Sequence, residues 1–130
     1  MGSHVAEILL QQWWSVLGID DLSGFEANLP AAIDFRRSSI VEPLDEAIGT
    51  FRPDYVYHLA AYAAEGLSSY IPAFNCRVSI EGTTNVLAAA CRAGVRHFAF
   101  THRSPRTVTL SPGWPCSRKI LCSLGSLRDR

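Results

Sequence analysis

The stretch from Pro53 to Phe100 limits most tightly what this chain can fold into. Tyr55, Val56, Tyr57 and Leu59 form a short run of aromatic and β-branched or aliphatic residues, the mark of a buried strand. Pro53 stands just before it, where a missing N–H removes no central ladder bond. Gly66, Ser68 and Ser69 break the chain. Tyr70, Phe74, Val78, Gly82, Val86 and Ala90 then recur every fourth residue, and Leu87 and Cys91 widen that stripe, which predicts a helix over 70–93. Ser69 is its expected N-cap, Pro72 lies in the tolerant first turn, and Gly94 ends it. Val95 to Phe100 is a second apolar strand. Strand, helix and strand in this order predict a βαβ unit with parallel strands and a right-handed crossover.

The residues before this unit extend the pattern. Val5, Ile8 and Leu9 share a face and predict a helix near 3–13. Ser15–Ile19 is a short strand closed by Asp20 and Asp21. Of the Trp13–Trp14 pair, at least one ring is expected to be partly exposed. Residues 31–35 read as an edge-like strand. Residues 41–49 read as a helix with Leu44, Ala47 and Ile48 on the inner face and Glu42, Asp45 and Glu46 in solvent. His58 is expected to be a hydrogen-bonded core histidine rather than a catalyst, and Gly82 to allow close helix–sheet packing.

Composition narrows the function classes. Twelve acidic residues balance twelve basic ones, so no nucleic-acid or anionic-membrane partner is indicated. No apolar run approaches the ~20 residues needed to span a bilayer. Cys76, Cys91, Cys116 and Cys122 have no C-x-x-C spacing and read as free thiols in a reducing, cytoplasmic setting. No metal-ligand motif, Walker loop, nucleophile elbow or internal repeat is present.

Three segments, H-L-A-A-Y-A-A-E-G-L-S at 58–68, E-G-T-T-N-V-L-A-A-A at 81–90 and A-G-V-R-H-F-A-F-T at 93–101, together resemble the NAD-dependent epimerase/dehydratase family. These are extended short-chain dehydrogenase/reductases of the UDP-glucose 4-epimerase type. The resemblance runs from Gly2 to Thr101. It implies an α/β fold: a Rossmann-like, doubly wound parallel sheet that here lacks its first strand. Residues 1–103 are then an incomplete NAD(P)-binding domain and residues 104–130 an irregular tail unrelated to the family. It also implies NAD as cofactor, a nucleotide sugar as substrate, and epimerisation by transient hydride transfer.

The resemblance assigns residues one by one. Gly2 matches the last glycine of the family's phosphate-binding loop, where backbone N–H groups meet a pyrophosphate. Asp20, with Asp21 beside it, holds the place of the acidic residue that bonds the adenosine ribose. Ser39 replaces the aspartate that reaches the adenine, while Ile40 is kept, and Ser79 stands where the family often has Asn. Leu59, Ala60 and Ala61 leave the strand where such a sheet binds its ligand, and Thr101 ends the last matching strand. The two further loop glycines and the Tyr-x-x-x-Lys acid/base motif have no counterpart in these residues. The chain carries no tyrosine after Tyr70, and its sole lysine is Lys119. The expectation is therefore a catalytically inactive piece of the family scaffold with weak or no NAD binding. The alternatives are a non-catalytic fragment that pairs with a full-length relative through helix 70–93, and an incomplete gene product. Without its first strand the sheet is expected to fold marginally, with strands 15–19 and 54–59 paired directly or left with open ladder groups.

Overall fold

The computed structural model describes residues 2–23, 29–61, 70–101, 106–109 and 119–123. In chain order these form α1 (Gly2–Gln11), β1 (Ser15–Asp20), β2 (Asp34–Arg37), α2 (Asp45–Phe51) and β3 (Tyr55–His58), then α3 (Pro72–Cys76), a π-helical segment (Arg77–Gly82), α4 (Thr83–Arg92), β4 (His97–Phe100), β5 (Arg106–Thr109) and β6 (Lys119–Ser123). One six-stranded sheet runs β2-β1-β6-β3-β4-β5. Its first five strands are parallel and β5 is antiparallel at the edge. The expected α/β, Rossmann-like parallel sheet is what the chain builds.

The centre of the sheet departs from expectation. β1 and β3 neither pair with each other nor stand apart. β6, drawn from the segment read as an irregular tail, lies between them and is parallel to both. Ile120 is level with Val16 on one side and Tyr55 on the other. The reason is visible in its side chains. Ile120, Leu121 and Cys122 are at most 2% exposed, so this short apolar run is a strand buried on both faces, which needs no alternation. It also supplies the ladder partners whose loss was expected to make folding marginal. Lys119 fixes its start. Asp54 N–H donates to the Lys119 carbonyl at 2.9 Å, the Lys119 N–H faces Asp54 Oδ2 at 3.4 Å, and Nζ donates to the Phe51 carbonyl at 3.2 Å.

Two apolar layers cover the sheet. One joins Leu17, Ile19, Val56 and Leu121 to Ile40, Leu44 and Ile48 and to Val86, Ala89 and Ala90 of α4. The other packs Ala6 of α1 against Val16 and Cys122. Leu44 and Ile48 face inward as expected, although α2 starts at Asp45.

The long helix differs from its predicted stripe. Its N-cap is Ile71, with Pro72 in the first turn, while Ser69 lies outside the described residues. Tyr70 is 82% and Phe74 51% exposed, and burial starts only at Val78 and Gly82. One turn of π-helix between them shifts the helical phase, so a strict four-residue repeat does not stay on one face. Ala89, not Leu87 or Cys91, widens the buried stripe. Gly82 permits a close approach, but to the Ile40 side chain rather than a strand: a Cβ at this position would lie 2.6 Å from Ile40 Cδ1.

Both long helices end in Schellman turns. At α4, Val95 N–H bonds the Ala90 carbonyl and Gly94 N–H the Cys91 carbonyl, with Gly94 at φ 74°. At α1, Trp14 and Trp13 make the same bonds to Leu9 and Leu10, and Trp13 takes the left-handed position at φ 63°. A side chain there costs about 1–2 kcal/mol relative to glycine. The Trp13 ring gains little in return, being 88% exposed.

Candidate functional site at the carboxyl ends of the parallel strands

Parallel strands place their carboxyl ends together, and open α/β sheets bind ligands there. In this chain that edge carries Asp20, Arg37, His58, Ser123 and Phe100, the last residues of β1, β2, β3, β6 and β4. Sequence reasoning placed Asp20, Leu59–Ala61 and Thr101 at this edge, and the structure brings them to it. Ser123, between Ile19 and His58 in register, was missed. Its only sequence signal was the three-residue apolar run Ile120–Cys122 in a Pro- and Ser-rich segment.

Asp20 closes β1, half-buried. One carboxylate oxygen, Oδ1, accepts a bond from Leu22 N–H at 2.6 Å. Burial raises its pKa; the Leu22 bond opposes this and neighbouring Asp21 adds to it. Leu22 sits at φ 60°, a conformation that costs a branched side chain energy. Asp21 makes the matching bond to Ser23 N–H at 2.9 Å in solvent. Both aspartates thus build the turn, and Asp20 alone carries a partly desolvated carboxylate.

Gly2 begins α1, buried. Its carbonyl accepts the Cys122 thiol at 3.6 Å. This contact brings the N-terminus of α1 to the carboxyl end of the central strand, the pairing that a dinucleotide fold makes with its first strand and helix. Leu59 and Ala60 are partly buried, one against each core layer, and Ala61 is exposed. Thr101 is exposed, and its N–H donates to the His58 carbonyl at 3.2 Å, keeping β4 beside β3 as both leave the sheet. Ile40 stands apart from the others. Its side chain is 6% exposed and spent on the core against Gly82. Its carbonyl accepts from Asn85 Nδ2 at 2.8 Å. Ser39 N–H and the Ser38 hydroxyl both donate to Glu42 Oε2, and Ser79 Oγ donates to Asn75 Oδ1.

His58 is 3% exposed. Thr83 Oγ1 donates to the Ser79 carbonyl at 2.6 Å, so it accepts from His58 Nε2–H at 2.9 Å. Burial lowers the imidazole pKa to about 4. The residue is a neutral core histidine that ties β3 to the start of α4, just after the π-helical segment. Among the described residues no group of three or more His, Cys, Asp or Glu is placed to hold a metal ion, and no helix is long and apolar enough to cross a membrane.

A parallel sheet with an acidic β1 terminus and small residues after β3 defines an α/β protein of the Rossmann-like class. The model of the NAD dependent epimerase/dehydratase family matches residues 1–104, and the chain belongs to that family. It is 32% identical over 127 residues to a UDP-glucose 4-epimerase of Mycolicibacterium smegmatis. That match covers 92% of this chain, so it runs past Thr101 into the segment that sequence reading set apart from the family, but only 41% of the relative. Among solved structures, UDP-glucose 4-epimerase of Thermotoga maritima with UDP-glucose superposes with a TM-score of 0.74 at 33% identity, over 75% of this chain and 33% of that one. The UDP-glucose 4-epimerase of Thermus thermophilus in complex with NAD gives 0.70 at 31% identity, over 74% and 32%. The chain thus spans about two-fifths of its curated relative.

Proposed function

We propose that this chain holds the adenosine end of NAD on the scaffold of a UDP-sugar epimerase and does not turn over a nucleotide sugar by itself. The observation that carries the reading is Asp20, whose partly desolvated carboxylate closes β1 at the same carboxyl edge of the sheet at which Ala60 and Ala61 leave β3, with β6 between them. A carboxylate there suits the paired hydroxyls of a ribose, and small residues admit an aromatic base or sugar close to the backbone. Gly2, buried at the α1 N-terminus, is the residue assigned to the pyrophosphate. Bound NAD would supply hydride chemistry; the tyrosine and lysine that would move the sugar's proton are not among these residues. The free thiols Cys76, Cys91 and Cys122 support a reducing, cytoplasmic setting.

Titration calorimetry with NAD tests this. Each charge-assisted hydrogen bond contributes roughly 1.5–3 kcal/mol. Two or three fewer around the pyrophosphate cost roughly 3–9 kcal/mol and weaken binding at least a hundredfold, at ~1.4 kcal/mol per decade. The expected dissociation constant is no tighter than about millimolar, with Asp20→Ala weaker still. No interconversion of UDP-glucose and UDP-galactose is expected above a buffer control. A micromolar constant sensitive to Asp20→Ala, or turnover by protein freed of host epimerase, would overturn the inactive reading.

A second reading rests on exposed apolar side chains. Phe74, Ile80 and Leu87 are 51, 65 and 38% exposed along one helical stretch, and Tyr70, just before it, is 82% exposed. Such a surface suits association with a full-length relative without catalysis. Co-purification with an epimerase, lost in Phe74→Glu, would favour it.

A further inference from the structure

Among the described residues, the two halves of the sheet, β2-β1 and β3-β4-β5, share no backbone ladder except through β6. β6 reaches its place by a single connection, residues 110–118, nine residues long. That connection joins points at one end of the sheet. β5 ends at Thr109, level with His97; His97 is level with Tyr55; and Tyr55 is level with Ile120 at the start of β6. β6 therefore enters the cleft between β1 and β3 from that end. We propose that this cleft is a strand-acceptor site whose second occupant is β6 of another copy of this chain, giving a strand-exchanged dimer.

The occupant follows from the contacts. A β6 from a second copy brings the same ladder to β1 and β3 and the same buried Ile120, Leu121 and Cys122. It also brings the same Lys119, the chain's sole lysine, to Asp54 and the Phe51 carbonyl. The seat is identical in the two forms, and only the path of residues 110–118 differs. A connection of only nine residues holds β6 near its own cleft at an effective concentration on the order of millimolar. The chain's own β6 therefore wins in dilute solution, and exchange competes as protein concentration approaches that range. Once formed, the exchanged pair separates only by drawing a doubly hydrogen-bonded central strand out of each sheet, so it persists on dilution.

Wild-type protein unfolded in urea and refolded at about 10 µM and at about 1 mM, then diluted and sized by light scattering, tests the proposal. Monomer from the dilute sample and a dimer from the concentrated one that survives dilution for hours are expected. Monomer at both concentrations, or a dimer that falls apart within minutes of dilution, would overturn it. Tyr57→Cys, in a background with Cys76, Cys91 and Cys116 changed to serine, places a second thiol level with Cys122. Mixed isotope-labelled and unlabelled copies should give a disulfide within one chain in the monomer and between chains in the dimer. A dimer whose disulfide stays within each chain would assign dimerisation to another surface and sink the idea.

Discussion

At the scale of single residues, His58 shows how a histidine in a motif becomes structural. It ends β3 at the candidate site, yet its Nε2–H is committed to Thr83 and its ring is shielded from water. The pKa falls from 6.5 to about 4 because burial disfavours the imidazolium. The unfolded chain thus binds a proton that the folded chain rejects. Stability is full above pH 6.5 and declines as pH falls toward 4, by about 3 kcal/mol at ~1.4 kcal/mol per pH unit. Urea midpoints measured across that window should show this slope, and His58→Gln, which keeps a donor for Thr83, should flatten it. An unchanged slope in the variant would mean that carboxylates alone set the acid limit. Trp13 is the counter-example to residue-level economy. It occupies a position suited to glycine, and its ring lies in solvent.

At the scale of elements, the βαβ unit, the β1 strand with its acidic end, and α2 with its inner face were legible because each is a local pattern of adequate length. The front of the long helix was not, since a π turn alters phase without changing the spacing of apolar residues. β6 was not, because three buried residues carry no period and nothing local says that a vacant place in a sheet awaits them. Asp20 was legible as the residue closing a strand; Ser123 could be found only once β6 had been placed. The seating of β6 has a chemical signature. Cys122 is fully buried and its thiol is pushed up to about 12 by desolvation, whereas Cys76 and Cys91 are exposed. A thiolate is the reactive form. Maleimide labelling of native protein, mapped by peptide mass, should mark Cys76 and Cys91 within minutes and spare Cys122 until denaturant is added. Equal labelling of Cys122 would show β6 lying outside the sheet.

At the scale of the whole molecule, β6 determines whether the chain unfolds as one body. Among the described residues it is the one strand that pairs with both half-sheets, and its side chains serve both core layers: Leu121 packs with the residues from α2 and α4, and Cys122 with Ala6 of α1. Leu121→Ala removes a fully buried side chain from that junction. Large-to-small changes at such sites cost about 2–5 kcal/mol, a large part of the ~5–15 kcal/mol available to a domain. Because β6 holds both halves, the loss should appear as one shifted transition rather than as the melting of one half. Far-UV circular dichroism follows the helices. Fluorescence of Trp14, which packs edge-on against Tyr55 at 5.7 Å, follows the junction between the α1 layer and β3. In urea the two signals should stay coincident in the variant and move together to a lower midpoint. A change within about 0.5 kcal/mol, the range of ordinary surface substitutions, would show that the centre of the sheet is held by something other than β6. Separated transitions would show that the halves are stable independently.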